Sequence, residues 1–204
     1  MVMRYDGFFV DRMNACVYGL SGFSKGDRGC VCYYGIRWSV KHMYDNIWDD
    51  CDYSQKNYIG RPVTEEGLWA AEKILGYKLP EAYKKLLMEH NGGILKACAI
   101  TVDDTDYYAE GLYGVDPKVN NSMLSEKFGS KFWIEEWEYP ADVGIAFADT
   151  PSAGHDMFFL DYRECGPMGE PAVVLIDQEF DYRITKIADT FQEFLDKLHE
   201  GTDE

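Results

Sequence analysis

Apolar residues return at helical spacing in three places along this chain of 204 residues. The first run is Leu68, Ala71, Ile74 and Leu75, which predicts a helix with these four side chains turned inward. Thr64 caps it, Glu65 and Glu66 place negative charge at the positive end of its dipole, and Gly76 supplies a left-handed stop. Leu79-Pro80 restarts the chain, because proline suits a first helical turn where its missing N–H has no intrahelical partner. Tyr83, Leu86 and Leu87 form the apolar face of this second helix. Asn91-Gly92-Gly93 then ends it with residues that tolerate positive φ. The third helix lies near the C-terminus, with Phe191, Phe194, Leu195 and Leu198 on one face. Asp189 or Thr190 caps it, and Gln192 or Glu193 completes a capping box.

Between these helices the period changes. Ile94 to Val102 reads as one strand with Ile94, Cys98, Ile100 and Val102 on one side. An acidic turn, Asp103-Asp104-Thr105-Asp106, leads into a second strand over Tyr107 to Val115. Asn121 to Tyr139 is partly helical. Val143 to Ala148, Met157 to Leu160 and Ala172 to Ile176 are short apolar runs bounded by Gly, Pro and Asp, as buried strands are. Helices at both ends with strands between them predict an α+β fold, with a mixed, mostly antiparallel sheet packed by helices. There is no regular β-α-β alternation and no internal repeat.

Charge changes this picture most. The net charge of −16 argues against nucleic acid or an anionic membrane as partner and suits a basic protein, although such a surface also simply keeps a protein soluble. Residues 1–42 hold six Lys or Arg against three Asp, a balance of +3, so residues 43–204 carry −19 of the total −16. The first 42 residues are therefore read as an N-terminal extension, or as residues upstream of the native start, the second being preferred. Apolar stretches are too short for a membrane helix, and no secretory leader is recognisable, so a cytoplasmic location is expected. The six cysteines (16, 30, 32, 51, 98 and 165) are read as free thiols.

Candidate chemistry is sparse. Ser152, His155, Asp156 and Cys165 could suggest a hydrolase. Neighbouring strand residues point to opposite faces, however, and Ser152 lacks the glycines of a nucleophile elbow, so a turn at Pro151-Ser152-Ala153-Gly154 is the better reading. Cys30 and Cys32 have one intervening residue where zinc sites use two to four, with His42 and Cys51 as distant recruits. The acidic turn lacks the glycine and distal glutamate of a calcium loop, and Gly129-Ser130-Lys131 reverses a phosphate loop. No metal, cofactor or catalytic residue is expected. His90 is explained by its place at a helix C-terminus. Trp133-Ile134-Glu135-Glu136-Trp137-Glu138-Tyr139 mixes aromatics with acids. It is either a protein-binding hot spot or a pair of tryptophans anchoring a helix to the sheet, the second being favoured.

A glycine-ended helix, Leu79-Pro80 with Tyr83 three residues on, and Asn91-Gly92-Gly93 before a strand make a specific pattern that resembles the SUKH superfamily of cell-wall-synthesis regulators and bacterial toxin-immunity proteins. Trp48-Asp49-Asp50 through Tyr58-Ile59-Gly60 is similar to its opening segment. Gly144 to Phe147, Gly154-His155-Asp156, Phe159-Leu160-Asp161 and Phe191 to Leu195 are similar to its later blocks. The resemblance covers residues 45 to 200 and implies a SUKH-like domain over 43–204. It further implies a non-enzymatic protein that binds and neutralises a cognate toxin, plausibly a basic nuclease. A cell-wall or stress-signalling interaction module is the alternative, and a hydrolase using His155 the third. The expected partner-binding residues are Asp103, Asp104, Asp106, Glu135, Glu136 and Glu138, with Trp137 as anchor.

Overall fold

Helix ends fall where the capping residues stand. A computed structural model of the chain describes residues 3–5, 8–10, 17–19 and 47–201. The chain divides at residue 43 into two units. In the first, β1 (Met3–Tyr5), β2 (Phe8–Val10) and β3 (Val17–Gly19) pair as an antiparallel meander. Cys16, Cys30, Cys32 and His42 lie outside the described residues, and the question of zinc lies there with them.

The second unit begins with β4 (Trp48–Asp49), α1 (Asp52–Asn57), α2 (Glu65–Leu75), α3 (Glu81–Glu89), β5 (Gly93–Leu95), β6 (Ala99–Val102), β7 (Thr105–Tyr108) and β8 (Gly111–Leu112). It continues with α4 (Ser130–Glu136), β9 (Gly144–Asp149), β10 (Asp156–Asp161), β11 (Ala172–Asp177), β12 (Arg183–Ala188) and α5 (Phe191–Lys197). Among the described residues seven strands form one sheet in the order β12-β11-β10-β9-β8-β5-β4, every neighbouring pair antiparallel. Strands β6 and β7 form a separate hairpin. This is an α+β fold.

Local chemistry accounts for the helices. The Thr64 hydroxyl accepts from Gly67 N at 3.3 Å, and Gly76 ends α2 at φ 80°. Pro80 stands one position before α3, as its N-cap, and not within the first turn. Thr190 accepts from Glu193 N at 3.1 Å, while the Glu193 carboxylate reaches back to Asp189 N at 2.8 Å, closing a capping box one residue wider than usual.

The sheet is covered on both faces, which explains why β9 and β10 read as unbroken apolar runs. On one face Phe158 meets Phe194 of α5 with ring centroids 5.7 Å apart. On the other, Phe159 meets Tyr139, just beyond α4, at 5.3 Å. Tyr83 joins α3 to this core. Its ring stacks on Phe191 at 4.2 Å and meets the edge of Phe147 at 5.7 Å, and its hydroxyl donates to the carbonyl of Tyr113 at 2.7 Å. Two register shifts make Phe147 an extra residue in β9 and Ile187 an extra residue in the outer strand β12. Arg183 and Lys186 on β12 pair with Asp177 and Asp189.

Three further expectations need correction. Ile94 to Val102 is not one strand: the chain leaves the main sheet after Leu95 and begins the hairpin at Ala99. Tyr107 to Val115 likewise splits between β7 and β8, so the turn narrows to Asp103-Asp104. Ile74 faces outward, with 73% of its surface exposed, because it stands about 60° off the stripe defined by Leu68, Ala71 and Leu75 at 100° per residue.

Asn91 is the staple after α3. Its side chain donates to Arg61 O at 2.7 Å and accepts from Val115 N at 2.9 Å, while its own carbonyl accepts from Gly60 N at 2.8 Å. Gly92, at φ 88°, leaves no room for a side chain: a Cβ there would lie 2.6 Å from Gly114 N. Asn91→Ala strands the buried N–H of Val115 and removes the donor to the part-buried Arg61 carbonyl, and should cost about 1–3 kcal/mol in chemical denaturation at unchanged m-value.

Candidate functional site

The family-pattern residues prove to hold the fold together. Trp48 stacks on His90 at 4.4 Å above Gly93, where a Cβ would come within 2.8 Å of the indole. The His90 ring nitrogens face Gly92 O at 2.8 Å and Asp50 Oδ1 at 3.0 Å. Leu79 is buried and its N–H donates to Glu72 Oε1 at 2.9 Å. Gly154, at φ 103°, lets Trp133 pack so closely that a Cβ would lie 2.5 Å from the indole. Asp156 N donates to Ser152 Oγ at 3.0 Å, and the Asp156 carboxylate accepts from Thr150 Oγ1 at 2.5 Å. His155 is half exposed, stands edge-on to Trp137 and faces Glu179 at 3.4 Å. Ser152 is thus engaged with Thr150 and Asp156 in a turn, and His155 with Glu179 and Trp137. Cys165 lies in another loop, where burial pushes its thiol pKa up, away from the reactive thiolate.

The proposed contact acids fall on two separate elements. Asp103 and Asp104 form the two-residue turn of the β6–β7 hairpin, both exposed and both left-handed at φ 49° and 60°. Such a turn needs two residues that accept positive φ, and aspartate does so better than most. Asp106 lies inside β7 and accepts from Thr101 Oγ1 at 2.6 Å. Glu135 and Glu136 are exposed at the end of α4, Trp137 caps that helix, and Glu138 follows in the left-handed conformation. Trp137 is partly buried, edge-on to Trp133 at 5.2 Å, and its carbonyl accepts from Tyr182 OH. It anchors α4 to the sheet.

The acids of α4 border a recess that this helix helps to wall. This is a groove of about 610 Å³ between the end of α2 and α4. Ile74, Leu75, Tyr77, Phe132 and Ile134 supply apolar surface, and Glu126, Glu135 and Glu136 stand on it with Lys131. The groove thus combines an acidic rim with Ile74, which is apolar yet open to water.

A cleft of about 350 Å³ is lined by Trp133, with Asp149 at its floor. Asp149 ends β9 and is nearly buried. Its Oδ2 accepts from Tyr58 OH at 2.7 Å, Tyr113 OH at 3.3 Å and Asn121 Nδ2 at 3.2 Å, and its Oδ1 accepts from Gly111 N at 3.0 Å. Burial pushes its pKa up to about 7, aided by the charge of Glu110 and opposed by these hydrogen bonds. Gly111 is required here, since a Cβ would collide with the Tyr58 ring at 2.1 Å. Sequence reasoning passed over Asp149; the available signal was a carboxylate closing an otherwise wholly apolar strand.

An antiparallel sheet wrapped by helices on both faces, with its distinctive residues spent on turns and staples, defines an α+β domain whose open features are surface recesses. The chain belongs to the SMI1 / KNR4 family (SUKH-1), whose model matches residues 62–197. No curated protein matches the chain. Among the described residues no helix is long and apolar enough to cross a membrane.

Proposed function

We propose that this chain is a non-enzymatic immunity protein that binds and neutralises a cognate toxin domain of basic character, with a nuclease the toxin class that suits the charge. Residues 43–204 are the binding domain in this reading, and residues 1–42, whether an extension or residues upstream of the native start, are not assigned to it. The observation that carries the proposal is the groove between α2 and α4, with its apolar floor and the rim of Glu126, Glu135 and Glu136. Membership of the SMI1 / KNR4 family and the net charge of −16 support it. Apolar floor and charged rim are the anatomy of protein-binding patches, in which the rim steers the encounter and the floor holds the complex. The hairpin acids Asp103, Asp104 and Asp106 add to the field that draws a basic partner in.

The test is co-purification with the toxin domain encoded by the neighbouring gene, followed by binding kinetics. Raising salt from 50 to 500 mM should slow association roughly tenfold, and the pair Glu135→Lys with Glu136→Lys should slow it at low salt. Ile74→Asp should leave association nearly unchanged and speed dissociation. A tight complex indifferent to all three changes would place the contact elsewhere, and no complex with any neighbouring toxin would end the proposal.

A further inference from the structure

The cleft over Asp149 holds two carboxylates and, among the described residues, no cation paired with either. All four donors on Asp149 are neutral: two tyrosine hydroxyls, one side-chain amide and one backbone N–H. Glu110, the second carboxylate, lines the same cleft and adds like charge. Two carboxylates sharing a recess repel, and a cation entering it relieves that repulsion.

The rim says what kind of cation. Tyr53 and Phe128 also line the cleft and are 58% and 41% exposed, unusual for large aromatics. Their rings lean on Tyr58 and Trp133, with centroids 6.1 and 6.3 Å apart, which holds them at the mouth. Aromatic faces above a carboxylate floor suit a planar, weakly hydrated cation on an apolar stem, because the ring faces attract the charge and the stem covers apolar surface. A metal ion is a poorer fit: no group of three His, Cys, Asp or Glu side chains converges as ligands among the described residues. At about 350 Å³ the cleft lies near the lower end of the roughly 300–1,000 Å³ range of ligand pockets.

We propose that this cleft receives one arginine side chain from the protein partner, its guanidinium between Asp149 and Glu110 and its stem against Tyr53 and Phe128. This rests on the reading of the chain as a partner-binding domain, and adds a second, specificity-setting contact on the other side of α4 from the groove.

The probe is butylguanidinium, titrated into the full chain with its neutral counterpart butylurea as control. The readouts are the amide signal of Gly111 and the indole N–H of Trp133 in heteronuclear NMR. Butylguanidinium should give saturable shifts at both, butylurea none, and Glu110→Gln should weaken binding roughly tenfold. Glu110 is partly exposed and joins Asp149 through its backbone N–H, while its side chain is outside the hydrogen-bond set of the Asp149 carboxylate, so this variant keeps the fold; Phe128→Ala provides the same test from the rim. Equal shifts from both probes, no saturation, or indifference to both substitutions would overturn the proposal. In the toxin complex Glu110→Gln should raise Kd by a similar factor. A chain that takes butylguanidinium but captures no toxin defeats the immunity reading alone. One that captures toxin but ignores the probe and the Glu110 change defeats the cleft alone.

Discussion

Tyr83→Ala should destabilise the domain by about 3–5 kcal/mol, the largest loss expected from a single side chain here. The total stability of a domain is about 5–15 kcal/mol, so this variant stands at the edge of unfolding at 37 °C. The loss has two sources. The ring is fully buried between Phe191 and Phe147, so its removal opens a cavity where α3, α5 and β9 meet. The hydroxyl donates to Tyr113 O at 2.7 Å and to Phe147 O at 3.3 Å, so its removal also leaves buried carbonyls short of a donor. Tyr83→Phe separates the two: it keeps the ring and should cost only about 1–2 kcal/mol. Urea unfolding of both variants is the measurement. Equal losses would mean that the hydroxyl, and not the packing, accounts for the position.

The second large effect is a dependence on pH through Asp149. Its folded pKa is raised to about 7, against about 3.9 for an unfolded aspartate. The native state therefore holds this proton more tightly than the unfolded state does. The stability it contributes is complete below pH 4 and is lost as pH rises through about 7. The comparison is with Asp149→Asn, which removes the titration of this carboxylate. The amide turns one acceptor into a donor among four donors, so the variant is weakened at every pH. The diagnostic quantity is the change in the gap. At about 1.4 kcal/mol per pH unit, the advantage of the natural chain over Asp149→Asn should shrink by roughly 3 kcal/mol between pH 5 and pH 8. A constant gap would show that the four hydrogen bonds outweigh burial and keep the carboxylate pKa at its ordinary value.

At four helix-end positions the deciding forces are local, and there sequence and structure agree. Thr64, Gly76, Thr190 and Glu193 act through bonds to residues three or four positions away, and those bonds form. Strands β9, β10 and β11 were legible because burial on both faces leaves only apolar residues. β12 was missed because it is an outer strand whose Arg183 and Lys186 break the apolar run. The breaks after Leu95 and Tyr108 were hidden for another reason: they are set by where the sheet ends, which no short stretch of chain records. At the candidate site, the exposure of Glu135 and Glu136 was readable, but their place beside Ile74 was not, since that groove joins residues about sixty positions apart. The role of Asp149 depends on Tyr58, Gly111, Tyr113 and Asn121, which meet only once the sheet has formed.

The outer strand β12 also bears on how the protein behaves when crowded. An open strand edge is a template on which a second chain can add, the usual first step toward aggregates. Here that edge is interrupted by the extra residue Ile187, which twists the backbone out of register, and it carries Arg183 and Lys186 along its length. Both devices discourage a neighbouring strand from pairing. Among the described residues, this edge of a sheet with strands as apolar as β9 and β10 is thus guarded against pairing with a copy of itself.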